Sequence, residues 1–244
     1  MKVALITGAS SGIGAATAVE FADAGWKVMA AGRDEGRLEE VADVSDNIST
    51  WTGELLESED CDELVADTAD EFGRLDCLVN AAGVLIMGNA EELSDDDWRD
   101  TLGINLDVPF YLSRAALPHL IQSTGSIVNI SSVWGLAGGQ RALAYCASKG
   151  GLIQMTRAMA LDHAIDGLRI NAICPGSVDT PMLAGRAEDL EEDADKYLDE
   201  LAYNSPNGRI ATPEDIAGLV MFLASDAASH ITGTAIPIDG GRTA

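Results

Sequence analysis

The first twenty-odd residues leave few folds open. Residues 2–6 form a short apolar run with the β-branched Val3 and Ile6. The turn Thr7-Gly8-Ala9-Ser10-Ser11-Gly12-Ile13-Gly14 follows, and Ala15, Ala16, Ala18, Val19, Phe21 and Ala22 then recur at helical spacing. Strand, glycine-rich turn and helix in that order build the opening unit of a parallel sheet. Glycines make tight turns anywhere. Between a strand and a helix they also let the backbone approach a pyrophosphate, which the unpaired N–H groups and positive dipole end of the helix attract.

The rest of the chain repeats the alternation. Apolar runs at residues 28–31, 75–80, 126–130, 168–174 and 234–238 read as buried strands separated by helical patterns. This predicts an α/β fold: one doubly wound, Rossmann-like parallel sheet with helices on both faces. No linker, repeat or low-complexity tract divides the 244 residues, so residues 1–244 are expected to form a single domain. No apolar run approaches the ~18 residues of a membrane span, and no signal peptide precedes the first strand. Cys61, Cys77, Cys146 and Cys174 are scattered without metal or disulfide spacing, which fits a reducing cytoplasm. His119, His163 and His230 are far apart and read as structural, and no catalytic metal is expected.

Charge narrows the setting. There are 40 acidic against 15 basic residues, for a formal charge of −25, and the only lysines are Lys2, Lys27, Lys149 and Lys196. Acids cluster at residues 57–63, 91–97 and 188–195, interrupted by apolar residues at helical spacing. Such a surface repels itself in dilute buffer and is screened in molar salt, so a salt-filled, halophilic cytoplasm is the expected setting. The same charge argues against nucleic acid as a partner.

Chemistry is signalled by Tyr145-Cys146-Ala147-Ser148-Lys149. Residues four apart share one helix face. A lysine ammonium held there is expected to favour the phenolate and bring a tyrosine, ordinarily near ~10, towards proton transfer at neutral pH. Cys146, with no partner histidine, reads as a packing residue.

Taken together these segments resemble the classical short-chain dehydrogenases/reductases over essentially the whole chain. The T-G-x-x-x-G-x-G turn is matched by Thr7, Gly8, Gly12 and Gly14, and the N-A-G-type motif by Asn80, Ala81, Ala82 and Gly83. The active-site tyrosine and lysine match Tyr145 and Lys149, the preceding serine Ser132, and the helix asparagine Asn105. Pro175 and Gly176, running on to Thr180, match the P-G turn, and Asp239, Gly240 and Gly241 the terminal D-G-G.

The resemblance implies hydride transfer between a nicotinamide and a carbonyl or secondary alcohol. It implies Tyr145 as general acid or base, Ser132 as the group orienting the substrate oxygen, and Lys149 as tuner of Tyr145 and binder of the nicotinamide ribose. Asn105 would position a water relaying protons from Lys149. The implied cofactor residues are Gly8, Ser10, Ser11, Gly12, Ile13, Gly14, Arg33, Glu54, Leu55, Asn80, Ala81, Gly83, Tyr145, Lys149, Pro175, Gly176, Val178 and Thr180. Gly32, at the end of the second strand, leaves room for a 2′-phosphate that Arg33 is placed to clamp, which favours NADP. Asp34, spaced for ribose recognition, keeps NAD as the alternative. Residues 181–208 are expected to form a substrate lid of one or two amphipathic helices, with Leu190, Tyr197, Leu198, Leu201 and Tyr203 as its apolar positions. Residues 84–89 and 134–141 complete the pocket, where Trp134 either stacks on a substrate ring or fills the wall. The substrate is expected to be a small molecule: a sugar, polyol, cyclic alcohol, steroid or 3-oxoacyl compound. The C-terminal strand and the helices at 107–121 and 144–165 resemble the surfaces these proteins use to form homotetramers. A non-catalytic dinucleotide sensor, or an epimerase or dehydratase on the same fold, is the rival reading; retention of Tyr145, Lys149, Ser132 and Asn105 argues against the first.

Overall fold

The computed structural model describes residues 1–190 and 193–244. Strands and helices alternate as β1 (Val3–Thr7), α1 (Gly12–Asp23), β2 (Lys27–Gly32), α2 (Glu35–Ala42), β3 (Ile48–Thr52), α3 (Ser58–Phe72) and β4 (Cys77–Asn80). Then come α4 (Asp95–Leu102), α5 (Val108–Ser123), β5 (Ser126–Ile130), α6 (Leu143–His163) and β6 (Arg169–Pro175). Helices α7 (Pro181–Asp189), α8 (Ala194–Tyr203) and α9 (Pro213–Ala224) precede β7 (Ala235–Ile238).

The seven strands form one parallel sheet in the order β3-β2-β1-β4-β5-β6-β7. Every residue of β1, β4 and β5 is buried. Strands covered on both faces need no polar face, so they read as continuous apolar runs rather than alternating ones. One core layer packs α1 and α9 against Ala4, Ile6, Val28, Val79 and Val128. The other packs α3 and α5 against Val3, Leu5, Leu78 and Ile127. Strand order reverses between β1 and β4, and the crevice beyond their carboxyl ends is where an open α/β sheet places its ligand.

Local chemistry explains where the boundaries depart from the sequence pattern. β1 runs on to Thr7, which stays in register with Ala31. β4 starts at Cys77 rather than Leu75, because the Asp76 side chain accepts the Val3 N–H at 2.8 Å and pairs with Arg74. β3 ends at Thr52, so Glu54 lies beyond the strand. The helix expected at 107–121 is the second half of a longer rod: α4 and α5 join through a π-helical turn, Gly103–Asp107, with Asn105 fully buried in it. Such widened turns are frequent at functional sites. The segment expected as a lid, residues 181–208, contains two helices, α7 and α8. Of its expected apolar positions Tyr197 is buried, whereas Leu190 and Tyr203 face solvent at 50% and 89% exposure. Glu191 and Glu192, part of that segment and of the acidic cluster at 188–195, lie outside the described residues. Among the described residues no helix is long and apolar enough to cross a membrane.

Candidate active site

The glycine-rich turn is closed by contacts that admit no side chain. Gly8 has φ +65° and a Cβ there would meet the Ala82 backbone at 2.8 Å; Gly12 has φ +53°; a Cβ on Gly14 would sit 2.3 Å from the Gly8 carbonyl oxygen. Thr7 joins β1 to β4: its Oγ1 accepts the N–H groups of Ala81 and Ala82 at 3.2 and 3.3 Å. Helix α1 starts with no side-chain cap and no acidic residue in its first turn. Its leading N–H groups are thus left for an anion, and the close glycine backbone fits a pyrophosphate.

A groove of about 660 Å³ runs along this turn and collects Gly8, Ser10, Ser11, Gly12, Ile13, Gly14, Arg33, Glu54, Leu55, Ala81, Gly83 and Thr180. Asp34 and Arg37 line it as well. Asp34 is already engaged: it caps α2 by accepting the Arg37 N–H at 3.1 Å and pairs with Arg37 Nε at 3.3 Å. The neighbouring Arg33 is exposed and makes no ion pair among the described residues. At Gly32, a Cβ would press on Ser10 at 3.3 Å.

The Asn80 side chain does not line the groove that its neighbours Ala81 and Gly83 line. Its side chain is buried in the sheet and donates to Asn129 Oδ1 at 2.8 Å, and Asn129 donates in turn to Thr156 at 2.9 Å. It ties β4 to β5 and α6 instead of facing the groove, because the side chain of a strand-end residue follows the pleat into the helix layer.

A second cavity of about 190 Å³ adjoins the groove and brings together Ser132, Tyr145 and Lys149, with Pro175, Gly176, Val178 and Thr180 along one wall. Ser132 ends the β5 strand path and caps a short 3₁₀ turn, its Oγ accepting the Trp134 N–H at 3.1 Å. Tyr145 and Lys149 lie one turn apart on α6. The Lys149 ammonium donates to the Ile130 carbonyl at 2.8 Å and lies 5.7 Å from the Tyr145 ring centroid. Asn105 accepts the Val84 N–H at 2.8 Å and donates to the Val84 carbonyl at 2.9 Å and to Ser148 Oγ at 3.1 Å. Ser148 donates to the Tyr145 carbonyl at 2.9 Å, which links the π turn to the active-site helix. Gly83 occupies the gap between the two elements: a Cβ there would stand 3.1 Å from Asn105 Oδ1 and 3.4 Å from Lys149 Nζ.

Burial decides the titration of this pair. It pushes the Tyr145 phenol up to about 12, with a hydrogen bond from Ser132 pulling partly back. Burial likewise pushes Lys149 down to about 8. The expected lowering of Tyr145 by Lys149 is therefore not present in this structure. The ammonium is turned to the Ile130 carbonyl, and the desolvation of a phenolate outweighs a cation at that distance. The four cysteines are free. Burial pushes Cys61 and Cys77 up to about 12 and Cys174 up to about 11, which makes them poor nucleophiles.

Several lining residues escaped the sequence reading. Met182, Leu183 and Arg186 of α7 and Arg242 of the last turn face the small cavity, beside Tyr197 and Leu201 of α8, which the sequence had already marked as apolar positions of the expected lid. Their only sequence signal was membership in the lid or proximity to the terminal D-G-G. Trp134 stands edge-on to Tyr145, ring centroids 6.0 Å apart, and forms part of the cavity wall.

The sequence pattern of the enoyl-(acyl carrier protein) reductase family matches residues 8–243. A meso-2,3-butanediol dehydrogenase of Serratia marcescens is 40% identical over 100% of this chain and 95% of its own. The ligand-free aldohexose dehydrogenase of Thermoplasma acidophilum superposes with a TM-score of 0.92 at 36% identity, covering 99% of this chain and 94% of that one. An actinorhodin polyketide ketoreductase solved with NADPH superposes with a TM-score of 0.94 at 33% identity, covering 99% and 97%.

Proposed function

Since the chain belongs to the classical short-chain dehydrogenase/reductase family, and is an NAD(P)-dependent oxidoreductase of CH–OH and C=O groups, we propose that its chemistry is done by Tyr145, Ser132, Lys149 and Asn105 in the small cavity beside the glycine groove. The observation that carries this reading is the convergence of Ser132, Tyr145 and Lys149 on one cavity that opens into the groove. When bound, the nicotinamide supplies or accepts the hydride at the substrate carbon.

The protein's own groups handle the oxygen and its proton. Ser132 Oγ and Tyr145 Oη hold the substrate oxygen, and Tyr145 gives its proton to it in reduction or takes it in oxidation. A phenol kept neutral by burial is the form needed for donation. Lys149, buried at the base of the site, stabilises negative charge on Tyr145 as the proton leaves, and would bind the nicotinamide ribose. The Asn105–Val84–Ser148 bonds hold the π turn where a water could connect Lys149 to solvent. Gly8, Gly12 and Gly14 with Ser10, Ser11 and Ile13 would hold the pyrophosphate. Glu54, Leu55, Ala81 and Gly83 flank the rest of the nucleotide, with Pro175, Gly176, Val178 and Thr180 on the nicotinamide side.

NADP is the preferred cofactor in this reading. Asp34 is occupied as a helix cap and as the partner of Arg37, whereas Arg33 stands exposed beside the groove with its guanidinium available to a 2′-phosphate. The NADPH-bound ketoreductase supports the same choice. Residues 1–244 act as one catalytic domain, and α7 and α8 act as the lid over residues 181–208. Substrates are neutral or charged small molecules of the sugar, polyol, cyclic alcohol or 3-oxoacyl kinds. Exposed Phe110, Leu161 and Ile165 on and after α5 and α6 support assembly into a homotetramer. Free cysteines and the −25 charge support a salt-rich, halophilic cytoplasm.

The test is a cofactor-oxidation screen in molar KCl with NADPH and NADH against a panel of ketones and aldehydes, and the reverse reaction on sugars and polyols. Turnover lost in Tyr145→Phe is the expected result. Absence of turnover with every carbonyl and alcohol, with nucleotide binding retained, would favour the sensor reading instead.

A further inference from the structure

The cavity that holds Tyr145 is cationic in a protein that is otherwise strongly anionic. Its lining includes Lys149, Arg186 and Arg242 and, among the described residues, no aspartate or glutamate, although the chain carries 40 acids. Arg186 comes from the lid helix α7 and is half-buried. Its guanidinium carbon lies 5.1 Å from the Trp134 ring and 6.0 Å from the Tyr197 ring. Its Nε is buried without a hydrogen-bond partner among the described residues. A buried guanidinium N–H without an acceptor is rare, since its lost hydration is left uncompensated. Two aromatic rings supply cation–π attraction, but neither supplies an acceptor in the plane of the fork.

We infer that the substrate carries a carboxylate, which pairs with the Arg186 guanidinium at the cavity wall while Ser132 and Tyr145 hold the reacting oxygen. This inference rests on the oxidoreductase reading of the same cavity. Two coplanar oxygens match a guanidinium fork bidentately. Spacing sets the molecule's shape. Trp134 touches both ends, edge-on to Tyr145 at 6.0 Å and under Arg186 at 5.1 Å, so the carboxylate stands about one indole from the reacting carbon, not next to it. Met182, Leu183 and Leu201 line the space between, and the cavity of about 190 Å³ suits a compact hydrocarbon linker. Arg242, held to Ser177 Oγ at 3.3 Å, adds a second positive charge at the same cavity. Local cations of this kind offset the repulsion that a −25 protein exerts on an anionic substrate.

The experiment compares kcat/KM for 5-oxohexanoate, its methyl ester and 4-oxopentyl phosphate in wild type, Arg186→Gln and Arg186→Lys. Wild type is expected to favour the carboxylate over the ester. Arg186→Gln should lower that ratio by about 10–100-fold, the range for a hydrogen bond to a charged group, with Arg186→Lys between. A residue that only pins the lid would lower both substrates together and leave the ratio unchanged, which overturns the proposal, as does preference for the ester or the phosphate. Calorimetric titration with hexanoate and hexanamide separates the two readings. If no carbonyl is reduced but hexanoate binds better than hexanamide and loses that advantage in Arg186→Gln, the anion site stands and the oxidoreductase reading falls. If no carbonyl is reduced and hexanoate shows no Arg186-dependent binding, the anion site falls too.

Discussion

Lys149 Nζ donates to the carbonyl oxygen of Ile130 at 2.8 Å, across the α6–β5 contact, and so stands 5.7 Å from the centre of the Tyr145 ring that shares its helix face. The ammonium is held by the sheet rather than by the phenol. Burial therefore keeps the tyrosine neutral, and one carbonyl replaces hydration of the ammonium.

Tyr145 should thus resist ionisation. With its phenol pushed up to about 12, the ultraviolet difference between wild type and Tyr145→Phe should show no phenolate band below about pH 10. A band growing near neutral pH would mean that Lys149 does reach the phenol. The same variant should lose at least about 100-fold in kcat with cofactor affinity nearly intact, as expected when a general acid is removed.

Lys149 should make stability rise with pH. Its folded value of about 8 lies below the ordinary 10.5, so between these the unfolded chain binds more protons. Its contribution is fully present above the unfolded value and is lost as pH falls through the folded one. Tyr145 has the opposite sign: its contribution is present below 10 and is lost as pH rises through about 12. Urea midpoints of wild type minus those of Lys149→Met should therefore increase from about pH 7 to about pH 10. A flat difference would show that the lysine is not desolvated.

Arg33→Ala should weaken NADP binding by about 1–3 kcal/mol with little change for NAD, as for loss of a charge-assisted hydrogen bond to the 2′-phosphate. Titration of both nucleotides measures it. Equal losses for the two cofactors, or a wild type that prefers NAD, would remove Arg33 from that role and return attention to Asp34.

Salt should stabilise the fold. Asp95, Asp96 and Asp97 crowd one helix turn, where Asp95 and Asp96, 91% and 89% exposed, share the single cation of Arg99. Raising salt from about 0.1 M to above about 1 M shortens the Debye length from roughly 10 Å to about 3 Å. Melting temperature and sedimentation coefficient should both rise across that series, with activity following. A melting temperature and oligomer size unchanged over the series would reject the halophilic setting and leave the catalytic assignment untouched.

What the sequence determined by itself is what depends on neighbours along the chain. Gly8, Gly12 and Gly14 between an apolar strand and a helix specify a backbone cradle, because glycine suits the positive φ at Gly8 and Gly12 and tolerates the Gly14–Gly8 approach. Buried parallel strands announce themselves as unbroken apolar runs, and Tyr145 and Lys149 must share a helix face at their spacing. Tertiary structure decided what depends on partners distant in sequence. Only the packing of α6 on β5 gives the Lys149 ammonium the Ile130 carbonyl as its hydrogen-bond partner. Only the pairing of β4 with β5 draws Asn80 to Asn129 and out of the groove. A π turn at Gly103–Asp107 has no periodicity of its own, since Asn105 reaches its place through bonds to Val84 and Ser148. Arg186 reads in sequence as one more charge on a lid helix. The fold sets it between Trp134 and Tyr197, where burial removes the water that would otherwise satisfy it.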